Sequence, residues 1–174
     1  MVGAPEPLYR PPQVGVRPPE EITMNDNVEN TRRGFAAFAE GDLDILKDLF
    51  DPDIVWHSPG RNSVAGDYHG VDETLGYFMQ LHERSGGTFK AELLEIGEIA
   101  PDLVACLVNL RGDAAGGSID QRSMMLFQQR SGRALEVWSF SSDQYAQDQA
   151  WGPATITLPD TRPQAAPATA PAQG

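Results

Sequence analysis

Apolar residues recur at helical spacing along the first half of the chain and alternate along much of the second. Met24, Val28, Phe35 and Phe38 fit one face of a helix. Thr23-Met24-Asn25-Asp26 reads as its capping box, with Asp26 in place of the usual Glu. Gly34 interrupts this helix and Gly41 ends it. Asp42 caps a second, short helix whose buried side is Leu43, Leu46, Leu49 and Phe50, and Pro52 stops it. Ile54-Val55-Trp56-His57 reads as a strand entering the Ser58-Pro59-Gly60 turn. A third helix is predicted over about 71–84, with Val71, Leu75, Phe78 and Met79 as its stripe, continued by His82. After Gly86-Gly87 the period changes, and four strands are predicted near 88–98, 102–111, 118–129 and 134–141. The segment 112–117 and Ser131-Gly132 supply the turns between the last three.

This order predicts an α+β domain: a cone-shaped α+β barrel with three N-terminal helices packed on a curved, mainly antiparallel sheet. A pocket between helices and sheet would suit a small molecule. Proline marks the limits of the domain. Six prolines fall in residues 1–21 and five in 153–174, with only Pro52, Pro59 and Pro101 between. Each removes a backbone donor and fixes φ, so both ends are expected to be extended or disordered arms around a folded unit at 22–152. The first arm has no apolar stretch of the kind a secretory signal needs.

Composition narrows the function. The chain has 174 residues, 40% of them hydrophobic, which is enough for one core. No apolar run approaches the roughly 20 residues of a membrane span. A net charge of -12 argues against a nucleic-acid partner and against an anionic membrane surface. A cytoplasmic protein is expected. Cys106 is the single cysteine and sits in an apolar run, so it reads as a core thiol. His57, His69 and His82 form no compact ligand motif, and no nucleotide fingerprint is present. Neither a metal nor a cofactor is expected.

Three segments carry a resemblance: Gly41-Asp42-Leu43-Asp44 with Leu49-Phe50-Asp51-Pro52-Asp53-Ile54-Val55-Trp56; Gly66-Asp67-Tyr68-His69-Gly70; and Phe140-Ser141-Ser142-Asp143-Gln144-Tyr145 through Asp148 and Trp151. In this order, over about residues 24–151, the chain resembles the SnoaL-like polyketide cyclase and ketosteroid-isomerase-related branch of the nuclear-transport-factor-2-like superfamily. The resemblance also shows departures. The general-base Asp of the ketosteroid isomerases falls at Ser58, their oxyanion Tyr at Gly34, and their protonated Asp near Met124. Steroid isomerisation by that mechanism is therefore not expected.

Asp120, Arg122 and Met124 share one face of a strand by their spacing. Family analogy turns that face inward and makes Asp120 and Arg122 catalytic candidates, the first as a base or orienter, the second as an oxyanion partner. His57 is a third, because an imidazole titrates near neutrality. Parity opposes it: if Ser58 faces the cavity, so does Trp56, and His57 faces away. Trp56, Tyr68, Phe78, Trp138 and Phe140 are candidates for an aromatic wall, joined as substrate-binding residues by Ser58, Arg61, His82 and Met124, with Glu136 as a reserve acid.

The expected function is a cofactor-free cyclase or isomerase acting on a hydrophobic, polyketide-like biosynthetic intermediate. It would fold the substrate and assist with acid–base chemistry. The alternatives are a non-catalytic binding protein for a small hydrophobic ligand and an epoxide-hydrolase-like enzyme. The resemblance implies a homodimer. Met124 and Leu126 alternating with Met125 and Phe127 leave both faces of one strand apolar, which agrees.

Overall fold

The computed structural model describes residues 26–154, so the first proline-rich arm, all of the second after residue 154 and the Thr23 end of the expected capping box lie outside the described residues, while Pro153 forms a bridge with Asn62. Helix α1 spans Asp26–Glu40 and α2 Leu43–Leu49, followed by β1 (Phe50–Ser58) and β2 (Gly66–His69). Then come α3 (Gly70–Arg84), β3 (Lys90–Ala100), β4 (Leu103–Ala114), β5 (Gly117–Arg130), β6 (Arg133–Ser141) and α4 (Gln144–Trp151). The Asp42 side chain caps α2 by accepting from the Ile45 amide at 3.0 Å.

All six strands form one sheet in the order β2-β1-β6-β5-β4-β3. β3 to β6 form an antiparallel meander, and β1 joins β6 in parallel, Trp56 opposite Val137. The sheet is therefore mixed. It is also open, because β2 and β3 are its two edges and do not meet. This corrects the expected cone-shaped barrel. Closure would need the edge strands to pair, and the four-residue β2 ends the sheet on one side. Only α1 and α2 precede the sheet; the third helix enters after β2, and a fourth follows β6. Three N-terminal helices was thus one too many.

The alternation along β1 sets the two faces. Ile54, Trp56 and Ser58 are buried, and His57 between them is not. In β5 the buried set is Ile119, Ser123, Met125, Phe127 and Gln129, and across the β4 register lie Val104, Cys106 and Val108. These side chains meet α1, α2 and α3 in one core, which also takes Phe50, Phe78 and Trp151. Cys106 is 1% exposed, and burial pushes its thiol up to about 12, in keeping with a core thiol. An ion pair ties the start of β1 to the end of β5. Arg130 donates Nε to Asp51 at 2.8 Å and reaches Asp53 at 2.8 Å, and its hydrogen bond holds the Asp51 carboxyl below its ordinary value. Among the described residues no helix is long and apolar enough to cross a membrane.

Candidate active site

Between the helices and the inner face of the sheet lies a cavity of ≈ 80 Å³. That is well above the roughly 10–15 Å³ one water needs, so it is a real void and not loose packing. Aromatic rings make most of its wall. Phe78 sits edge-on to Trp56 at 4.9 Å and to Phe38 at 5.1 Å, and Phe127 packs edge-on to Trp56 at 5.9 Å. Edge-to-face pairs of this kind suit a flat apolar guest.

The polar groups on the wall are amides and hydroxyls: Asn30, Thr31, Tyr77, Gln129, Ser139 and Gln147. Among the described residues, no carboxylate, histidine, lysine or arginine lines the cavity. Tyr77 is the titratable oxygen acid there. Burial pushes its hydroxyl up to about 12, against the opposing pull of hydrogen bonds with Ser58 and Trp56. It therefore stays protonated at neutral pH, able to donate to a developing oxyanion but not to abstract a proton.

Among the described residues, one buried side-chain polar atom has no hydrogen-bond partner. Gln129 is 5% exposed, and its side-chain carbonyl oxygen is buried without a hydrogen bond. Its amide nitrogen donates to Thr31 Oγ1 at 2.9 Å. A buried acceptor left in this state costs about 1–3 kcal/mol.

A second space, of ≈ 760 Å³, adjoins the first. Phe38, Leu46, Phe78, Phe89 and Ala91 line both spaces, so they form the partition between them. The second space's own wall is charged, with Glu40, Glu83, Lys90, Glu92 and Arg111. The inner space is walled mainly by apolar side chains, and the second is the larger of the two.

The predicted residues divide between the two faces. Trp56 and Phe78 line the cavity. Ser58 is buried and hydrogen-bonds Tyr77, while Tyr68 stacks on Tyr77 at 4.5 Å, so both stand behind the wall. His82 and Met79 line the second space. Leu75 and Phe78 of the predicted α3 stripe are buried, but so are Thr74, Tyr77 and Leu81, while Met79 is 52% exposed. Leu43, expected on the buried side of α2, is exposed too. Arg61 is an exposed loop residue whose backbone amide donates to Asp148.

Asp120, Arg122 and Met124 do share a face, but it is the outer one. Their buried neighbours Ile119, Ser123 and Met125 take the inner face, which corrects the inward placement drawn by analogy. Asp120 pairs with Arg111 at 3.3 Å, and Met124 is 49% exposed. Trp138 and Phe140 lie on the same outer face, opposite Leu126 and Met124.

His57 also faces outward, as parity requires. Its Nδ1 lies 2.7 Å from Asp67 and its Nε2 2.9 Å from Glu136, and its ring stacks on Trp138 at 5.8 Å. Partial burial lowers its pKa, but the hydrogen bonds to Asp67 and Glu136 outweigh this and raise it. With a carboxylate within hydrogen-bond reach of each nitrogen, it joins β2, β1 and β6 and is held away from the cavity. No group of His, Cys, Asp and Glu able to hold a metal ion occurs among the described residues.

Sequence reasoning passed over Tyr77, Gln129 and Gln147. The stripe 74-77-78-81 was available for the first. Gln129 carried a signal in its parity with Met125 and Phe127.

A family model described as the SnoaL-like domain matches residues 31–137. The Rv0034 protein of Mycobacterium tuberculosis is 31% identical over 130 residues, which cover 75% of this chain and 99% of that protein. Among solved structures, Bal32a from a soil-derived mobile gene cassette is 34% identical with a TM-score of 0.71, over 73% of this chain and 97% of its own. A protein with a cystatin-like fold from Xanthomonas campestris is 28% identical with a TM-score of 0.68, over 72% and 98%.

Proposed function

Since the chain belongs to the SnoaL-like domain family, we propose that it is a cofactor-free cyclase or isomerase that folds a hydrophobic, polyketide-like intermediate inside its inner cavity. The observation that carries this reading is the wall itself: aromatic rings, amides and hydroxyls, with no group that titrates near neutrality. Such a wall works by confinement. It holds a flexible substrate with its reacting atoms in contact and excludes water, and proximity of this kind supplies a large part of many barriers. Tyr77 adds a neutral donor for charge that develops on a carbonyl or enol oxygen. Asp120, Arg122 and His57 have no part in this step, because they stand on the other face of the sheet.

The same wall supports a second reading, a binding protein that carries the ligand unchanged. Incubation with a linear poly-enol or poly-ketone substrate separates the two. Confinement predicts ring closure faster than in buffer, with protons exchanged with solvent and the pH dependence of the uncatalysed reaction retained. A bell-shaped profile would show an acid–base pair and refute confinement. Tight binding without acceleration would leave the carrier.

Assembly belongs to the proposal as well. The outer face exposes Met124 and Phe140 (49% and 52%) beside Leu126 and Trp138. We infer that a second copy covers it, as apolar patches of this kind mark contact sites. Light scattering should give about twice the 18.9 kDa of one chain, and Phe140→Glu should return the protein to a monomer. A monomeric native protein at micromolar concentration overturns this.

A further inference from the structure

The inner cavity is small for the ligand it would have to hold. At ≈ 80 Å³ it falls well short of the roughly 300–1,000 Å³ of sites that enclose a drug-sized molecule. It admits a ring-sized group and little more. The second space, at ≈ 760 Å³, lies within that range. Phe38, Leu46, Phe78, Phe89 and Ala91 line both, so one layer of side chains separates the two volumes. Leu46 and Phe78 in that layer are buried, whereas Phe38, Phe89 and Ala91 are only half-buried. The Phe38 and Phe89 rings meet edge-on at 6.4 Å, a looser contact than the 5.1 Å between Phe38 and Phe78.

The second space also carries apolar surface that the core does not use. Leu43 on α2 and Met79 on α3 line it and are 38% and 52% exposed. A single exposed apolar side chain is ordinary. Two on separate helices, lining the same space as Phe38, Phe89 and Ala91, make an apolar track beside the cavity. Charge does not select an ionic guest. Glu40, Glu83 and Glu92 stand with His82, Lys90 and Arg111 around this space, and Arg111 is paired with Asp120 at 3.3 Å and with Glu92 at 3.7 Å. A neutral chain with a polar end matches both the track and the mixed charges.

We infer that the two spaces hold one elongated ligand, with a ring-sized apolar head in the inner cavity and a neutral chain that passes between Phe38 and Phe89 to lie against Leu43 and Met79. The inference rests on the inner cavity being the ligand site, as proposed above, and adds a second subsite to it. The substrate is then long and flexible, not a compact polycycle, and chain length sets its affinity.

The test uses benzyl alcohol and 6-phenyl-1-hexanol as probes of the native full-length protein. They share a ring and a terminal hydroxyl and differ by five methylenes. Methyl resonances locate each probe. Met125 lines the inner cavity and reports on the head, and Met79 lines the second space and reports on the chain. Both probes should move the Met125 methyl, and only the longer one should move that of Met79. In calorimetric titration the longer probe should bind at least tenfold tighter, since each fully buried methylene is worth about fourfold. Met79→Gln, at an exposed position, should reduce the ratio of the two affinities roughly three- to tenfold. A Met79 methyl that stays in place with the longer probe while Met125 moves, or a ratio unchanged in Met79→Gln, overturns the second subsite and leaves the inner site intact. Movement of Met79 alone with both probes, or no binding of either at millimolar concentration, overturns the inner site and this inference with it.

Discussion

Gly34→Leu is expected to block ligand binding while leaving the fold at least as stable as before. Gly34 lies on α1 and lines the inner cavity. It is a helical glycine with ordinary backbone angles, and a Cβ added there would meet only Leu49 Cδ1, at 3.8 Å, an ordinary contact. Replacing a mid-helix glycine by a good helix former gains about 1 kcal/mol. The side chain then grows into the void instead of into packed atoms. Gly34→Ala should raise the melting temperature and leave affinity nearly unchanged. Gly34→Leu should weaken ligand binding by roughly 10- to 100-fold, since seating a guest against filled space costs about 1–3 kcal/mol. The result also separates the two spaces. A ligand held only in the second space, against His82 and Met79, would bind Gly34→Leu as well as it binds the native protein, and the inner site would then be wrong.

That position links two levels of reading. Alignment by Gly41-Asp42 puts Gly34 where the ketosteroid isomerases carry their oxyanion tyrosine. The cavity wall indeed passes through Gly34, with the hydroxyl missing. Tyr77 on α3 lines the same cavity.

Legibility followed the range of the interaction that sets each feature. α1, α2, α3 and the four meander strands were readable to within a few residues, because a 3.6- or 2-residue period is written locally in the side chains. β2 was not, since Gly66-Asp67-Tyr68-His69 has one apolar residue and no alternation. α4 was not either. Gln144–Trp151 is mostly polar, and side-chain hydrogen bonds to a distant loop hold it in place. Parity placed Asp120, Arg122 and Met124 together but could not tell inside from outside, because β5 is apolar on both faces. That choice is made by β4 and β6, which align Met125 with Cys106 and Ser139. The open, mixed sheet was equally hidden, because it depends on the parallel pairing of β1 with β6, about 80 residues later in the chain. For the candidate site the consequence was direct. Trp56 and Phe78 were legible as pocket residues, and the titratable residues chosen for their chemistry were not, since chemistry alone does not say which face a residue takes.

Asp148→Ala is expected to produce the largest loss of stability, and to loosen the end of the cavity. Asp148 Oδ1 accepts from Asn62 Nδ2 at 2.7 Å, from Gln144 Nε2 at 2.9 Å and from the Arg61 amide at 3.1 Å. Asn62 is 1% exposed, and its own Oδ1 turns the loop by accepting from Val64. The loop and α4 are further joined by Ser63, which donates Oγ to the Trp151 carbonyl at 2.7 Å and its amide to Gly152. Two glycines permit the contact. Gly60 has φ +111° and a Cβ there would overlap Asp148, while a Cβ on Gly116 would overlap the Gln149 carbonyl. α4 in turn brings Gln147 and Trp151 to the cavity wall. Alanine strands the buried Asn62 amide and removes the acceptor of two further donors, for a loss of about 2–4 kcal/mol. The melting temperature should fall by roughly 10 °C, and bound probes should dissociate faster as α4 frays. Acid provides the control. Burial raises the Asp148 pKa, but the hydrogen bonds from Asn62, Gln144 and Arg61 outweigh it and lower the value. The unfolded chain therefore takes up this proton first, so the stabilisation is complete above about pH 4 and is lost as pH falls through the lower folded value. The gap between native protein and Asp148→Ala should be constant from pH 6 to pH 8 and narrow below pH 4. A melting temperature within two degrees of native at pH 7 would show that α4 is held by Trp151 packing alone, and that the carboxylate does not clasp it.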